Sequence, residues 1–357
     1  MKIGILTHYN VSSHGALLQM YALQQTLKSL GHEVFILSYN RNLDFIDEET
    51  RKRFSANLRN LPYYLRDYTK KNGFSSLIFQ YKKQRVLSEF RQANFHVIPY
   101  TESGGLDCVV VGADEVFSLE NGINIMMYGH CITSKRIISY APSFGQTDMD
   151  RIERFGCKAV IKAGLETFDS LSVRDEGSQN VVETLTGRRP PVVCDPALLY
   201  DFGSRPNKRK DYIVVYSYQS NFDSPDRIKA IREYARKRGC ELWSVGVSFK
   251  WCHRKINCDP LQMIDVFRDA SAIITDTFHG TITSFIARTP AAVFVRENNC
   301  VKLDHLLRSI GMESRKVWEN SQLEAVLSEE ESFADIEAKV LELRARSMNY
   351  LTEALRG

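Results

Sequence analysis

Residues 3–39 read IGILTHYNVSSHGALLQMYALQQTLKSLGHEVFILSY. The runs at 3–9 and 33–39 are apolar enough for buried strands, and between them residues 15–30 place apolar side chains on one face of a helix. Gly31 follows at the position where a glycine commonly ends a helix. A strand, a helix and a second strand in this order predict a βαβ unit, and therefore a parallel sheet.

The strand–helix alternation continues to about residue 200. Apolar runs that end in polar residues occur at 107–114, 136–142, 170–175 and 191–196. Helical patterns near 149–165 and 177–186 separate the later runs. We therefore predict a first Rossmann-like domain over residues 1–200.

A change of composition marks the middle of the chain. Residues 201–211, DFGSRPNKRKD, are polar and aperiodic, which is typical of a linker. Beyond them, strand-like and helical segments alternate again, with apolar runs at 212–218, 241–247, 271–276 and 291–295. These predict a second Rossmann-like domain over residues 212–320 and a charged helical tail over 321–357. The predicted fold class is α/β with two Rossmann-like domains.

One region interrupts the alternation. Residues 41–98 are polar and helical in pattern, which predicts a helical insertion in the first domain. Between residues 41 and 91 there are 12 Lys or Arg and 6 Asp or Glu, with aromatic residues interleaved. Two interpretations are open for the part at 51–91. It is a surface for an anionic partner, such as a lipid headgroup or a diphosphate-linked acceptor, or it is a solvated basic face.

The overall composition excludes several classes of protein. The 357 residues suffice for two domains, and 43% hydrophobic and 25% charged residues are ordinary for a globular protein. A net charge of +4 is too small to indicate a nucleic-acid partner. There is no signal-peptide core and no apolar run of about 18 residues. We therefore expect a cytoplasmic protein, at most peripheral to the inner face of the membrane.

The eight cysteines are scattered and form no CxxC pair. Cys252, His253 and Cys258 lie close together in sequence, but their spacing fits no common zinc site. We therefore expect reduced thiols and no bound metal.

Candidate site residues follow the strands, because open α/β sheets bind ligands outside the carboxyl ends of their strands. The polar and glycine residues at these positions include His8, Asp114, Glu115, Ser143, Arg174, Asp195, Ser217, Asp276, Thr277, His279, Gly280 and Arg296.

The segment SAIITDTFHGTITSFIA, residues 271–287, carries the sharpest local signal. A strand ends at Thr275 or Asp276 and a helix begins near His279, so free backbone N–H groups favour an anion there. A histidine at this point suits phosphate binding or proton donation. The alternative is that Asp276 or Thr277 only caps the helix and that His279 is an ordinary first-turn residue.

The chain resembles the polysaccharide pyruvyl transferase family over nearly its whole length. The segments that match, in the family's order, are HGALLQMYALQ (14–24), DCVVVGADEVF (107–117), RIISYAPSFG (136–145), SVRDEGS (172–178), VVCDPALL (192–199), TDTFHGT (275–281) and VKLDHLLRSIGM (301–312). The resemblance implies a GT-B-like arrangement with the active site between two Rossmann-like domains. It also implies transfer of a pyruvyl group from phosphoenolpyruvate to a saccharide, as a ketal, in surface polysaccharide biosynthesis.

The resemblance also assigns three catalytic residues: Arg174 in SVRDE, His279 in TFHG and Lys302 in VKLDHLL. Arg and Lys suit the phosphate and carboxylate of phosphoenolpyruvate, and His279 is the expected general acid. No redox cofactor is required. The alternatives are that Arg174 pairs with a neighbouring carboxylate, Asp175 or Glu176, and that Lys302 is a solvated helix residue.

The sequence departs from the family's pattern in two places. Family members often have Gln where this chain has Glu115, after Asp114. The extra carboxylate would repel an anion if it faced phosphoenolpyruvate, so Glu115 faces the saccharide acceptor, faces away, or marks altered specificity. The early turn usually reads Asn-Tyr-Gly, whereas here it reads Ser13-His14-Gly15. We expect His14 and Gly15 near the substrate, with His14 either a second base or a surface residue at the helix start.

Two other functions remain as alternatives. A GT-B glycosyltransferase would need an acidic residue for the ribose of a sugar nucleotide, and Glu297 is the nearest candidate. A non-catalytic saccharide-binding protein would have no need of Arg174, His279 and Lys302 together. The acceptor of the first-choice reaction is a saccharide, free or lipid-linked.

Overall fold

The computed structural model describes residues 1–39, 73–120, 122–296, 299–329 and 332–356, which form two parallel sheets. The first sheet comprises β1 (Lys2–Leu6), β2 (Glu33–Ser38), β3 (Val97–Pro99), β4 (Cys108–Val111) and β5 (Ile137–Ser139). The second comprises β6 (Lys210–Tyr216), β7 (Glu241–Val245), β8 (Arg254–Ile256), β9 (Ala270–Thr275), β10 (Ala291–Phe294) and β11 (Lys316–Val317). Every pairing between these strands is parallel.

The strand order is the same in both sheets. The first runs β3-β2-β1-β4-β5, and the second, read from its other edge, runs β8-β7-β6-β9-β10-β11. This is the Rossmann order, in which the direction of progression reverses between the first and fourth strands. The predicted α/β class and the GT-B-like pair of Rossmann-like domains are therefore confirmed.

Helices cover the faces of both sheets. They are α1 (His14–Ser29), α2 (Phe74–Asn94), α3 (Met149–Arg154), α4 (Lys158–Leu165), α5 (Glu176–Thr186), α6 (Pro196–Leu199), α7 (Pro225–Lys237), α8 (Pro260–Asp269), α9 (Phe278–Ile286), α10 (Cys300–Ile310), α11 (Leu323–Ser328) and α12 (Phe333–Arg356). Among the described residues, no helix is both long enough and apolar enough to cross a membrane.

Some local predictions were wrong. The apolar runs at 170–175 and 191–196 are not strands of the sheet. They make only isolated bridges, Ile138 with Ser170 and Val173 with Val192. The helix predicted over 149–165 is two helices, α3 and α4, separated at Gly156, where φ is 63°. A positive φ does not fit a right-handed helix. Strand β8 was not predicted, since Arg254 and Lys255 make it polar.

The insertion is described only in its second part. Residues 41–72 of the predicted segment lie outside the described residues. The remainder forms α2 and β3, and β3 joins the edge of the first sheet beside β2. Helix α2 contacts the second domain, because the Asn257 amide donates to the Phe79 carbonyl oxygen at 3.1 Å.

Helix α12, near the end of the chain, packs on the first domain. The Arg136 guanidinium donates to the carbonyl oxygens of Ala354 and Leu355, and the Tyr350 hydroxyl donates to the carbonyl oxygen of Ser139. Helices α2 and α12 therefore both tie the two halves of the chain together.

Candidate active site between the two sheets

A cavity of about 560 Å³ opens where the carboxyl ends of the two sheets face each other. Its walls carry residues that follow β1, β4, β6, β7, β9 and β10, together with the start of α1 and one side chain of α2. In each sheet the strand order reverses between two neighbouring strands. These are β1 and β4 in the first sheet and β6 and β9 in the second. Ligands of such sheets bind at these points.

The Arg174 guanidinium is only 5% exposed and lies among acidic groups. Its Nη1 is 3.1 Å from Oδ2 of Asp195 and 3.7 Å from Oδ1 of Asp114. The guanidinium lies over the Phe278 ring, with its Cζ 4.3 Å from the ring centroid. No ion pair to Asp175 or Glu176 is formed, so the alternative in which Arg174 pairs with one of these neighbours was wrong.

His279 lies in the first turn of α9, which Thr277 caps by accepting the Gly280 N–H at 3.0 Å. Thr277 therefore caps the helix while His279 lines the cavity, so the two alternatives for this segment do not exclude each other. The imidazole Nε2 is 3.5 Å from Oδ2 of Asp195. The close approach of α1 requires Gly15, because a Cβ there would be 2.4 Å from Cγ of His279.

Asp195 links the two candidate catalytic groups. Its carboxylate is fully buried, caps α6 by accepting the Ala197 N–H at 3.0 Å, and contacts both Arg174 and His279. Burial alone would raise the pKa of Asp195, but His279 and Arg174 outweigh it and lower the pKa to about 2. Asp195 is therefore an ionised positioning residue. Its position in the sequence places it among the strand-end residues but indicates no role for it.

Glu115 and Lys302 join across the cleft. The Lys302 Nζ donates to Oε1 of Glu115 at 2.9 Å, and the same oxygen is 4.0 Å from Nη2 of Arg174. Glu115 thus faces the cavity, and the alternative that it faces away was wrong. Lys302 is paired with a carboxylate, so the alternative of a solvated lysine was also wrong.

The turn after β4 aims Asp114 and Glu115 into the cavity. Gly112 has a φ of +122°, and a Cβ there would be 2.1 Å from the Tyr140 carbonyl oxygen, so only glycine fits. Asp114 itself has a positive φ of 73°, a conformation that is uncommon outside glycine and that concentrates at functional sites. Burial raises the pKa of Asp114, but Arg174 and His279 reverse the effect and lower it.

A fourth acidic residue, Asp276, follows β9 and lines the cavity from the second sheet. Its carboxylate accepts the Ser217 hydroxyl at 2.6 Å and pairs with Nη2 of Arg296 at 2.9 Å. Burial raises the pKa of Asp276 despite these partners. The Asn299 side-chain amide donates to the Asp276 carbonyl oxygen and fixes the loop after β9 to the loop after β10.

His14 is buried, so the alternative of a surface residue was wrong. Its Nε2 is 2.9 Å from the carbonyl oxygen of Cys258. Burial and the nearby Lys83 ammonium lower the pKa of His14 to about 3. The ring is therefore neutral at physiological pH and donates from Nε2, which leaves the lone pair of Nδ1 as its only basic site. A role as second base stays a prediction.

Three predicted site residues do not line the cavity: Asp195, described above, Ser143 and Gly280. The Ser143 hydroxyl donates to Oδ2 of Asp175 at 2.6 Å and accepts the Gly145 N–H, so it supports the wall from behind. Gly280 is buried against Thr275 and leaves no room for a side chain. The other twelve predicted residues line the cavity: His8, His14, Gly15, Asp114, Glu115, Arg174, Ser217, Asp276, Thr277, His279, Arg296 and Lys302.

No group of three or more His, Cys, Asp or Glu side chains is arranged to hold a metal ion in the part of the chain that the structure describes. Cys252 and Cys258 belong to different hydrophobic clusters. His253 Nδ1 instead accepts the Leu242 N–H at 2.9 Å.

A family model described as polysaccharide pyruvyl transferase matches residues 14–298 of this chain. No curated protein shows significant sequence similarity to it. Among solved structures, a UDP-N-acetylglucosamine 2-epimerase from Listeria monocytogenes is similar with a TM-score of 0.52 and 10% identity, over 94% of this chain and 90% of its own. The glycotransferase of kitacinnamycin is similar with a TM-score of 0.48 and 15% identity, over 99% of both chains. At such low identities the likeness to solved structures concerns the fold alone.

Proposed function

The chain belongs to the polysaccharide pyruvyl transferase family, and we propose that it transfers the pyruvyl group of phosphoenolpyruvate to a saccharide to form a pyruvate ketal. That it is a transferase follows from the family. The observation that supports the specific reaction is the meeting of Arg174, His279 and Lys302 on one cavity, although they come from different domains and distant segments. We further propose that the product enters surface polysaccharide biosynthesis.

In this proposal the two anionic groups of phosphoenolpyruvate bind to Arg174 and Lys302. The guanidinium suits a bidentate contact and the ammonium a point charge. Both cations now contact carboxylates, Asp195 and Glu115. The donor therefore replaces Glu115 beside Lys302, while Asp195 stays behind Arg174 and keeps it in place.

His279 then acts as the general acid. It gives a proton to the methylene carbon, which becomes the methyl group, and positive charge develops at C2. A saccharide hydroxyl oxygen bonds to C2 and loses its proton, and the bond between C2 and the bridging oxygen breaks to release inorganic phosphate. A second hydroxyl of the saccharide adds to C2, loses its proton and closes the ketal. The now neutral His279 takes one of the two hydroxyl protons, and the other leaves with the phosphate as hydrogen phosphate.

The decisive experiment follows phosphate release. The protein is incubated with phosphoenolpyruvate and a panel of free and lipid-linked saccharides, and mass spectrometry looks for the added pyruvyl group. We expect acceptor-dependent release of phosphate, unchanged by a chelator because no cofactor besides the donor is proposed. Transfer from a sugar nucleotide, with none from phosphoenolpyruvate, would favour the glycosyltransferase instead. Glu297, the candidate ribose ligand of that alternative, lies outside the described residues.

Glu115 provides a test of donor binding. Replacing it by Gln removes a negative charge beside Arg174 and Lys302. We expect the KM for phosphoenolpyruvate to fall by about tenfold, because repulsion between the Glu115 carboxylate and the anionic donor is unfavourable by roughly 1 kcal/mol or more. Steady-state kinetics and direct titration with the donor both measure the effect. Glu102→Gln, at an exposed position, is the control. A higher KM in Glu115→Gln would instead give Glu115 a positive role in binding.

We also propose a cytoplasmic location with peripheral contact at the inner face of the membrane. Helix α2 presents a row of exposed apolar side chains at helical spacing, Phe74, Ile78 and Tyr81, with Phe74 70% and Tyr81 69% exposed. The exposed guanidinium of Arg85 lies one turn beyond. Aromatic and basic side chains on one helix suit an anionic lipid surface. Residues 51–72 of the proposed contact lie outside the described residues.

Vesicle binding tests this contact. We expect the protein to bind vesicles that contain acidic lipids, and to bind less as salt screens the charges. Phe74→Ser combined with Tyr81→Ser should weaken binding by at least about tenfold, because each buried aromatic contributes roughly 1.5–3 kcal/mol. Trp318→Ser, which removes an exposed aromatic of the second domain, is the control. If both variants bound the vesicles equally well, or if the unaltered protein did not bind them, the proposed membrane contact would be wrong.

A further inference from the structure

One lysine of the insertion helix enters the cavity. Lys83 lies on α2 four residues after Phe79 and four before Leu87, and both of these are buried. Residues at this spacing share one face of a helix. Lys83 therefore occupies the core-facing side of α2, and it lines the cavity. In the sequence, Lys83 belongs to the basic segment 51–91, and nothing there separates it from its neighbours.

Lys83 has no partner of opposite charge within the described residues. These residues place four Lys or Arg side chains on the cavity, and Arg174, Arg296 and Lys302 each have a carboxylate within 4 Å. Within the described residues, Lys83 makes no ion pair and no hydrogen bond. Its neighbours are His14, which is neutral, and Cys258, whose pKa burial raises to about 12. Lysines are almost never buried without a partner.

The charge on Lys83 is retained at neutral pH. Burial lowers its pKa to about 8, so the ammonium form still predominates at pH 7. A half-buried ammonium without a carboxylate is unfavourable in the empty protein. An anionic ligand in the cavity would supply the missing charge.

Lys83 and Lys302 lie near the ends of different strands of the second sheet. Lys83 lies beside His14, which is next to Gly246 after β7, whereas Lys302, one of the two residues assigned to the donor, follows β10. Strands β7 and β10 are three neighbours apart in the sheet, which is roughly 14 Å at about 4.8 Å per strand. A small donor held at Lys302 leaves the end of the cavity beside Lys83 for another group, and Gly15, the neighbour of His14, packs against His279.

We infer that Lys83 forms a second anion-binding subsite, which holds a phosphate group carried by the saccharide acceptor. This inference rests on the proposed function for the identity of the acceptor. We assign a phosphate rather than a carboxylate, since lysine is a common partner of phosphate groups and binds them as a point charge. The saccharide would then extend from Lys83 toward His279.

The test is a binding titration without phosphoenolpyruvate. The probes are a panel of hexose 1-phosphates, the matching methyl hexosides and a hexuronic acid. We expect at least one hexose 1-phosphate to bind tenfold or more tightly than its methyl hexoside. Lys83→Gln should abolish that preference, and Lys83→Arg should keep most of it. Lys82→Gln, on the exposed side of α2, should bind all probes as the unaltered protein does.

Three results would overturn the inference. The first is equal affinity for the phosphate and methyl probes throughout the panel. The second is a phosphate preference that survives in folded Lys83→Gln, or one that passes to the hexuronic acid. The third comes from a separate titration with phosphoenolpyruvate alone: an equal loss of phosphoenolpyruvate affinity in Lys83→Gln would place Lys83 at the donor site. Because these titrations need no turnover, they are independent of the phosphate-release assay that tests the proposed reaction.

Discussion

Replacing His279 by Ala is expected to lower kcat by about 10²–10⁴-fold, the usual contribution of a general acid. The imidazole lies on the cavity wall, 3.5 Å from the Asp195 carboxylate, and it is our proposed donor of the proton to the methylene carbon. Its Nε2 has no closer hydrogen-bond partner among the described residues, so its removal breaks no structural hydrogen bond of that atom. Phosphate release at saturating donor and acceptor measures the effect.

The fold of this variant must be checked beside its activity. Circular dichroism and thermal unfolding should resemble those of the unaltered protein, with a modest loss because the imidazole packs against Gly15. His96→Ala, at an exposed position on the first domain, should keep full activity. Near-normal turnover in a folded His279→Ala variant would leave His279 with only a structural role in the first turn of α9. The proposed mechanism would then have no general acid.

The fold could be predicted because its signals are local. Each apolar run is short, each helical pattern follows directly, and a repeated strand–helix order has few solutions other than parallel sheets. The wrong predictions concern segments whose structure depends on the neighbouring strands of the sheet. Residues 170–175 carry a strand-like pattern, but Ser170 and Val173 meet different neighbours and form only isolated bridges.

The site could be predicted only in part. The strand-end rule located most residues of the cavity, since the carboxyl ends of parallel strands share one edge. The rule could not show which charges pair, because the bond between Lys302 and Glu115 joins residues 187 positions apart in different domains. It also could not separate Lys83 from the basic residues beside it. Only the packing of Phe79 and Leu87 turns that side of α2 inward.

Asp195→Asn is expected to lower kcat by about 10²-fold, at the lower end of the effect of losing a proton-transfer group, because it acts through His279. Asn can still accept the Ala197 N–H and cap α6, since Asn and Asp are about equally good caps. The substitution therefore removes the charge and keeps the shape. Steady-state kinetics with both substrates should show the loss in kcat. Asp201→Asn, at an exposed position six residues later, should show none.

The same variant should lose about 2–3 kcal/mol in the free energy of unfolding at pH 7, since removal of one partner leaves a buried Arg174 less well compensated. Asp114 and Glu115 remain within 4.0 Å of that guanidinium and limit the loss. The pKa of Asp195 is lowered to about 2 in the folded chain, so its stabilisation is present above the ordinary carboxyl pKa near 4 and fades as pH falls toward 2. Urea unfolding should therefore show a smaller difference between the two proteins at pH 3 than at pH 7. A difference that stays constant, or grows, as the solution is acidified would mean that Asp195 is not held as an anion by Arg174 and His279.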